Sequence, residues 1–469
     1  VRNAKSTFGD NDMTKKKREV DLLQGPILRS MLLFAVPLFF SGVFQQLYNT
    51  MDTVIIGHTL GDEALAAMGA AAAVYDLLVG FALGIGNGLA IVTARSFGSG
   101  DGDQLKRSVA ASLVIGVGIT VVMTVAARFI LYPFLEALHT PEEIIEQSYA
   151  YISTITLFIG VMFAYNLCAG LLRAIGNSVM PLVFLVLSSL LNIVLDLLFI
   201  TQLHMGVRGA AVATVLAQGV SVFACLFYIW KKADILIPGK AHFVRDRQLY
   251  KEMLAQGFAM AFMSAIVYAG TAILQSGINS LGYLVIAGHV AARKLFMFLM
   301  MPYMAVSQTV STFVAQNYGA GQVGRIRRAV KISYLCGAVL TAGITLFTVP
   351  LAPWMVRLLS GSTESVVIEN GALYLQVVAP CLMILALLNP SRFALQSIGN
   401  KILPVISSVI ELIGKYLFVA FLIPRFQYMA VIFCEPVIWL FMDIELLWAF
   451  WRNPLIRAGR ESEKELYKG

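Results

Sequence analysis

Charge is what this sequence is short of. Only 13% of its 469 residues are Asp, Glu, Lys or Arg, while 58% are hydrophobic and the mean hydropathy is +0.77. A chain so poor in charge is not a soluble globular domain; its composition is that of a polytopic membrane protein. Cysteine and histidine are scarce too, at five each. Cys168, Cys225, Cys336, Cys381 and Cys434 all fall inside apolar segments, without CxxC spacing or a histidine nearby, which argues against a disulfide framework or a zinc site. No Walker-type phosphate loop is present, so ATP-driven export by this chain alone is disfavoured. The run Lys15 to Arg18 precedes an apolar segment too long for a signal-peptide core and lacking a small-residue cleavage site. It reads as the lead into a retained first helix.

What the sequence has is long apolar runs interrupted by few, specific polar residues. Pro181 to Thr201 is about the length an α-helix needs to cross ~30 Å of hydrocarbon, and it carries one carboxylate, Asp196. Asn192 lies four residues earlier and therefore one turn away on the same face. An acid in a spanning helix costs roughly 2.5 to 3.5 kcal/mol on insertion scales, so it faces protein or water rather than lipid. A functional site is the first reading, and a structural pair with a neighbouring helix the second.

Twelve such segments are predicted: about 27–57, 65–92, 113–132, 149–172, 181–201, 210–230, 254–280, 284–315, 329–352, 370–391, 403–424 and 428–451. The expected organisation is a cytoplasmic tail over 1–24, a lobe of six helices over 25–230, a basic linker over 231–253, a second six-helix lobe over 254–451, and a cytoplasmic tail over 452–469. The tail over 1–24 reads as solvated and mobile. Of the 35 Lys and Arg residues, 28 fall in tails and alternate loops on one side and four on the other. By the positive-inside rule, both termini and the linker are expected in the cytoplasm. The basic excess is thus topological, and no nucleic-acid partner is expected.

An internal repeat relates the halves. Phe97-Gly98-Ser99-Gly100 aligns with Tyr318-Gly319-Ala320-Gly321, and Ile175-Gly176-Asn177 followed by Pro181 aligns with Ile398-Gly399-Asn400 followed by Pro404. Six spans per half put both halves in the membrane the same way round, a parallel repeat of two pseudo-symmetric lobes with a cleft between them. The fold class is all-α and integral to the membrane. In this register Asp52 aligns with Ile273, Asn192 with Lys415 and Asp196 with Val419, so the polar constellation of the first half has no copy in the second.

The first span is interrupted by Pro37, a predicted kink, and carries a polar stripe of Ser41, Gln45, Tyr48, Asn49 and Asp52. Asp52 and Asp196 each lie about five residues before the outer end of their spans, and Thr214 about five after span six begins. All three are then about 8 Å deep. Two carboxylates in a low-dielectric pocket cannot both ionise cheaply, so a proton or a cation between them is expected, with Asn192 and Thr214 supplying neutral oxygens. Gln45, Tyr48, Asn49 and Asn166 are candidates for a substrate cavity. Glu411 and Lys415, at i,i+4 in span eleven, are either a further part of it or a structural ion pair. His289 and Arg293, also four apart, lack a second His or Cys for metal ligation. Gly84, Gly86 and Gly88 in span two read as helix packing rather than a nucleotide loop, since no strand precedes them. Of the basic residues, Arg293, Lys294 and Lys415 are the ones placed to make a central cavity cationic.

Five pieces in order carry a family resemblance: Asp52 to Gly57 (DTVIIG), Arg173 to Asn177 (RAIGN) with Pro181, Asn192 to Asp196 (NIVLD), Gly206 to Thr214 (GVRGAAVAT) and Gln316 to Gly321 (QNYGAG). Over nearly its full length the chain resembles the MATE (multidrug and toxic compound extrusion) transporters, and within them the DinF-like branch. The resemblance implies twelve helices in two lobes and export of drugs or other amphiphilic organic cations in exchange for H⁺ or Na⁺, from a bacterial cell membrane. It implies no cofactor beyond the coupling ion, a monomer in the bilayer, and a cation site on Asp52, Asn192, Asp196 and Thr214. Asp52 and Asp196 are metal ligands only in the Na⁺ case. A C-lobe cation site is disfavoured because spans seven and eight hold no acid. Asp76 has no place in that scheme. Two alternatives remain: a flippase for lipid-linked precursors, which calls for a more cationic cavity, and an intramembrane aspartyl protease, disfavoured because no GxGD follows Tyr75-Asp76.

Overall fold

The computed structural model describes residues 19–137 and 140–459. The basic run Lys15 to Arg18, the rest of the N-terminal tail before it and 460–469 lie outside the described residues. Among the described residues there is no β-strand. Twelve rods follow one another: span one Ile27–Leu60, span two Asp62–Gly98, span three Gly102–Ala137, span four Glu142–Leu157 with Ile159–Ala174, span five Val179–Asp196, and span six Gly206–Lys232. The second half repeats them: span seven Arg247–Asn279, eight Tyr283–Gly319, nine Val323–Ser360, ten Ser365–Ser397, eleven Ile402–Leu417, and twelve Tyr428–Arg452. Ten are long and apolar enough to cross a membrane as single helices, and the two pieces of span four make an eleventh. Span twelve is not among these; it carries Glu435, Asp443 and Glu445 along its length and packs against spans ten and eleven.

The helices outrun the apolar segments that announce them. Span three, expected over 113–132, continues over Gly102–Ala137, because hydrogen bonding carries a helix beyond the hydrocarbon where polar residues still favour it. Span seven begins at Arg247 inside the expected linker, where the Asp246 side chain accepts from the backbone N–H groups of Gln248 and Leu249 as an N-cap. Span one continues as one helix through Pro37. Span four bends by 50° at Phe158, which an unbroken apolar run does not predict. Thr154 and Thr156 donate back to the carbonyls of Ala150 and Ile152, and Thr124 takes the carbonyl of Thr156, so hydroxyls compete for the ladder where it breaks. Spans five and eleven both end in π-helical turns, Leu197–Gln202 and Phe418–Leu422, at corresponding places of the repeat.

Spans one and seven are shared between lobes. Met31, Phe34 and Leu38 of span one pack in the C-lobe core, whereas Ile55 and Ile56 belong to the N-lobe core. Span seven does the reverse, with Met253 and Ala261 in the N-lobe core and Leu274 and Ile278 in the C-lobe core. Span seven crosses span two backbone to backbone in part: a Cβ on Gly84 would meet Ala261 Cα at 2.6 Å, and one on Gly88 would meet Gly257 Cα at 2.6 Å.

At the end of the molecule that carries the linker, the two copies of the glycine motif face each other. A Cβ on Gly98 would lie 1.9 Å from the Gln316 carbonyl oxygen, and one on Gly319 would lie 2.0 Å from that of Arg95. Those pairs are equivalent positions of the repeat. Side chains continue the symmetry: Arg95 Nε donates to Ser397 O at 2.7 Å and Gln316 Nε2 donates to Ala174 O at 2.7 Å. Arg95 also pairs with Glu252 at 2.6 Å. Residues 19–24, expected as part of a mobile tail, instead lie across this seal. Val20 N–H donates to Gly176 O in the N-lobe, while Leu22 is buried and its carbonyl accepts from Asn317 and Arg325 in the C-lobe.

Gly98→Val and Gly319→Val are each expected to force the seal apart, since the new Cβ must move from about 2 Å toward the 3.4 Å of ordinary contact against rigid backbone. Spin labels on cysteines replacing Asp101 and Gln322 report this as a longer distance. An unchanged distance with an unchanged melting midpoint would show that these glycines are not what closes the linker end.

Candidate functional site

Span one brings Asp52, span five Asn192 and Asp196, and span six Thr214 to one buried point in the N-lobe. Asp52 is 5% exposed, Asp196 1%, and Asn192 and Thr214 are equally enclosed. Asn192 is the hub. With its amide nitrogen toward the acids it donates to Asp52 Oδ1 at 2.8 Å and to Asp196 Oδ2 at 3.1 Å, and its carbonyl accepts from the Thr214 backbone N–H at 3.3 Å. The opposite orientation would set a carbonyl oxygen against two carboxylates, so the hydrogen-bond network assigns the amide. Tyr48 Oη donates to Thr214 Oγ1 at 3.1 Å. The second Asp196 oxygen, Oδ1, is buried and has no partner. Asp52 and Thr214 lie deeper than expected, each eight residues from its helix end, and Asp196 lies six residues before the end of the π-helical turn that closes span five.

No lysine or arginine pairs with either acid among the described residues, so the cluster holds negative charge without a fixed counter-charge. A buried acid pair in that position takes up a proton or a cation readily. Among the described residues no group of three or more His, Cys, Asp or Glu could hold a metal ion. An Na⁺ here would rest on two carboxylates and neutral oxygens. Tyr75 and Tyr151 stand within electrostatic reach of Asp52. The sequence reading missed both, because tyrosines in apolar spans carry no distinguishing pattern. Asp76 does not join the cluster; it is exposed, with Tyr268 of span seven as an electrostatic neighbour.

Two cavities occupy the space between the lobes, one of about 430 Å³ and one of about 470 Å³, sharing Arg173, Arg293, Phe296, Met300, Met304 and Gln308 in their walls. Each is within the range of a drug-sized site. Gln45 and Asn166 line the second, and Glu411 and Lys415 the first. Tyr48 instead turns into the carboxylate cluster, and Asn49 is exposed and lines neither. Seven methionines contribute to the two walls, among them Met260, Met263 and Met442. Such unbranched thioether walls adapt to different shapes.

Four charged side chains of the C-lobe form one paired network. Lys415 Nζ lies 2.8 Å from Glu411 and 3.8 Å from Glu435, and Arg293 lies 2.5 Å from Glu435 and donates to Tyr374 at 3.0 Å. His289 meets Tyr428 Oη at 3.2 Å. Lys294, expected to face the interior, is exposed and lines neither cavity. Arg173 and Arg392, counted by sequence with the loops, lie inside helices and reach the cavity instead. A basic residue a turn or so before a helix end reads as an anchor, and nothing in its spacing shows that it points inward.

The MatE family model matches residues 37–198 and 259–422, one block per lobe. The chain belongs to the MatE family. It is 29% identical over 306 residues to the probable multidrug resistance protein YpnP of Bacillus subtilis, covering 65% of this chain and 68% of that one. DNA damage-inducible protein F of Escherichia coli is 26% identical over 197 residues, 42% and 43% of the two chains. A solved outward-facing conformation of a multidrug resistance MATE family transporter superposes with a TM-score of 0.85 at 22% identity, covering 95% of this chain and 99% of that one. This MatE chain is therefore a multi-pass membrane transporter of the multidrug-efflux class and not an enzyme.

Glu411→Gln is expected to destabilise by less than the ~3–5 kcal/mol typical of breaking a buried pair, because Glu435 remains to hold Lys415. Adding Glu435→Gln should cost more than the two single changes together. Thermal unfolding of the four proteins in detergent checks this, and simple additivity would mean the two acids do not share Lys415.

Proposed function

We propose that this MatE transporter is an antiporter in which protons entering through the N-lobe drive export of amphiphilic drugs, organic cations among them, by alternating access. The observation that carries it is the Asn192 amide donating to both Asp52 and Asp196 in a buried site without a base. One proton shared by the two acids completes that arrangement. For Na⁺ the same amide would turn its carbonyl inward and its nitrogen toward Thr214 Oγ1, 3.5 Å away, so the two ions call for opposite amide orientations. The linker end is assigned to the cytoplasm on the distribution of basic residues. The seal of spans two and eight then closes the inner side, an outward-facing arrangement.

Protonation removes the mutual repulsion of the two carboxylates and their demand for water. Span one carries Asp52 at one end and packs into the C-lobe at the other, so a change at the acid pair reaches the cleft without a separate transmitter. One chain holds both lobes and the acid pair, and a monomer suffices for this cycle. The cationic cavity gives the lipid-linked flippase a specific observation in its favour, and it stands as the second reading. Drug efflux from proteoliposomes under a pH gradient, compared with scrambling of a labelled lipid phosphate, separates the two.

Asp52→Asn and Asp196→Asn are each expected to abolish efflux driven by an imposed pH gradient while expression and melting midpoint stay near the parental values. Thr214→Val should weaken coupling less, since it removes a neutral oxygen and not a charge. Parental efflux rates in both aspartate variants would remove the N-lobe site from the mechanism; efflux following an Na⁺ gradient and not a pH gradient would replace the proton.

Cysteines placed singly between Lys231 and Lys251 should resist an impermeant maleimide added to intact cells and react in inside-out vesicles. Labelling in intact cells would invert the assigned orientation.

A further inference from the structure

Four basic side chains line the first cavity, and two acids answer them. Glu435 holds Arg293, and Glu411 holds Lys415 with Glu435 beyond it. Arg173 and Arg392 are left over. Among the described residues no carboxylate lies within the 4.0 Å of an ion pair to either one. Arg392 is 8% exposed; its guanidinium donates to Ser408 Oγ and, at 3.5 Å, to Pro404 O, while its buried Nε has no partner. Glu411 and Glu445 act on it only from beyond ion-pair distance. Arg173 has less still. Its electrostatic neighbours are the neutral Tyr165 and Cys225, and it lines both cavities. Among the described residues no Asp or Glu lines the second cavity.

The two arginines come from spans four and ten, equivalent helices of the repeat on opposite sides of the cleft, and both lie toward the sealed linker end. A guanidinium stays charged and presents five N–H donors in a planar fork that matches a carboxylate or phosphate. Enclosing such a group without an anion is costly. Two of them at the floor of one cleft, with its acids already engaged elsewhere, ask for an anion from outside the chain.

We propose that Arg173 and Arg392 form a subsite for an oxyanion, a carboxylate or phosphate group, on the transported amphiphile, whose apolar body lies against the methionine wall. The inference rests on the efflux reading of the same cavity and names its substrate class: amphiphiles carrying an acid group, zwitterions included. Arg293 and Lys415 supply background positive charge, but Glu435 and Glu411 occupy their donors.

The test compares matched ligands on the full chain in phosphatidylcholine nanodiscs, without any gradient. Rhodamine 110, a free acid, is set against rhodamine 123, its methyl ester. Lysophosphatidic acid is set against the monoacylglycerol of the same chain. At least one acid member is expected to bind about tenfold or more tightly than its partner, the worth of a charge-assisted pair. Arg173→Gln and Arg392→Gln should each narrow that gap, and Arg173→Lys should retain part of it. A gap in the dye pair alone assigns the subsite to soluble drug-like acids; a gap in the lipid pair assigns it to a headgroup phosphate. Equal binding within both pairs overturns the proposal, as does a gap left unchanged in both glutamine variants. Should those variants fail to fold, the comparison in the parental protein still decides. Efflux of rhodamine 123 under a pH gradient with no acid preference in binding would overturn the subsite alone and leave the antiport reading standing.

Discussion

The two lobes meet where side chains have been removed from between them. At Gly98 and Gly319 the carbonyl of the opposite lobe occupies the space a Cβ would need, and the same repeat positions, Arg95 and Gln316, then reach the last turns of spans ten and four. The contact is symmetric, and it has to be for two copies of one motif to seal a cleft between them. Everything above the seal follows from it: the floor of the cavity, the approach of spans four and ten that carries Arg173 and Arg392 inward, and the strap of residues 19–24 spanning both lobes. Its polar half can let go more readily than its packing. Arg95 and Gln316 bond to carbonyls at helix ends, groups that have no helical partner and that water satisfies when the lobes separate.

The lobes share a backbone plan and differ in how they treat buried charge. In the C-lobe each acid facing the cavity has a base within 4 Å. Gaining a proton there would break an ion pair, so the network holds its charges fixed. In the N-lobe the acids face only an amide, a hydroxyl and tyrosines. The alignment of Asn192 with Lys415 and of Asp196 with Val419 places this difference at single positions. One substitution supplies the C-lobe with an internal counter-ion; its absence leaves the N-lobe to find one in the solvent.

Much of this was legible in the sequence, and the reason differs by residue. Asp52 and Asp196 stand out because an acid in twenty apolar residues is costly, and Asn192 and Thr214 follow from helical spacing and depth. The lobes follow from two repeated motifs. Tyr75, Tyr151, Arg173 and Arg392 were not legible. A tyrosine in a membrane helix is ordinary, and an arginine near a helix end serves topology as readily as recognition, so direction decides and one sequence carries no direction. The bend at Phe158 escaped for a similar reason: Thr154 and Thr156 can bond back to their own helix anywhere, and only the neighbouring Thr124 shows where the ladder yields. The ordered segment 19–24 looked like tail because its apolar anchors, Val20 and Leu22, are too few to form a pattern.

Whether a single proton can move such a molecule is a question of magnitudes. Shifting a two-state equilibrium from one side almost wholly to the other takes ~5.5 kcal/mol of differential binding. Enclosing an uncompensated charge carries an effective penalty of several kcal/mol even after relaxation and water entry. The two are of one size. A proton that neutralises the Asp52 and Asp196 pair in the enclosed state therefore delivers the required bias without any new contact, provided the other state opens the acids to water. The C-lobe network offers no comparable lever, since its charges are already matched. Span one is the element placed to convert the bias into motion: its half away from the seal carries Asp52 in the N-lobe, its half toward the seal packs with Met31 and Phe34 in the C-lobe core, and Pro37 deprives it of one ladder hydrogen bond between them. On the proposed antiport, the direction of transport follows from which side of the membrane supplies the proton, and on the proposed subsite the arginine floor selects which molecule leaves in return.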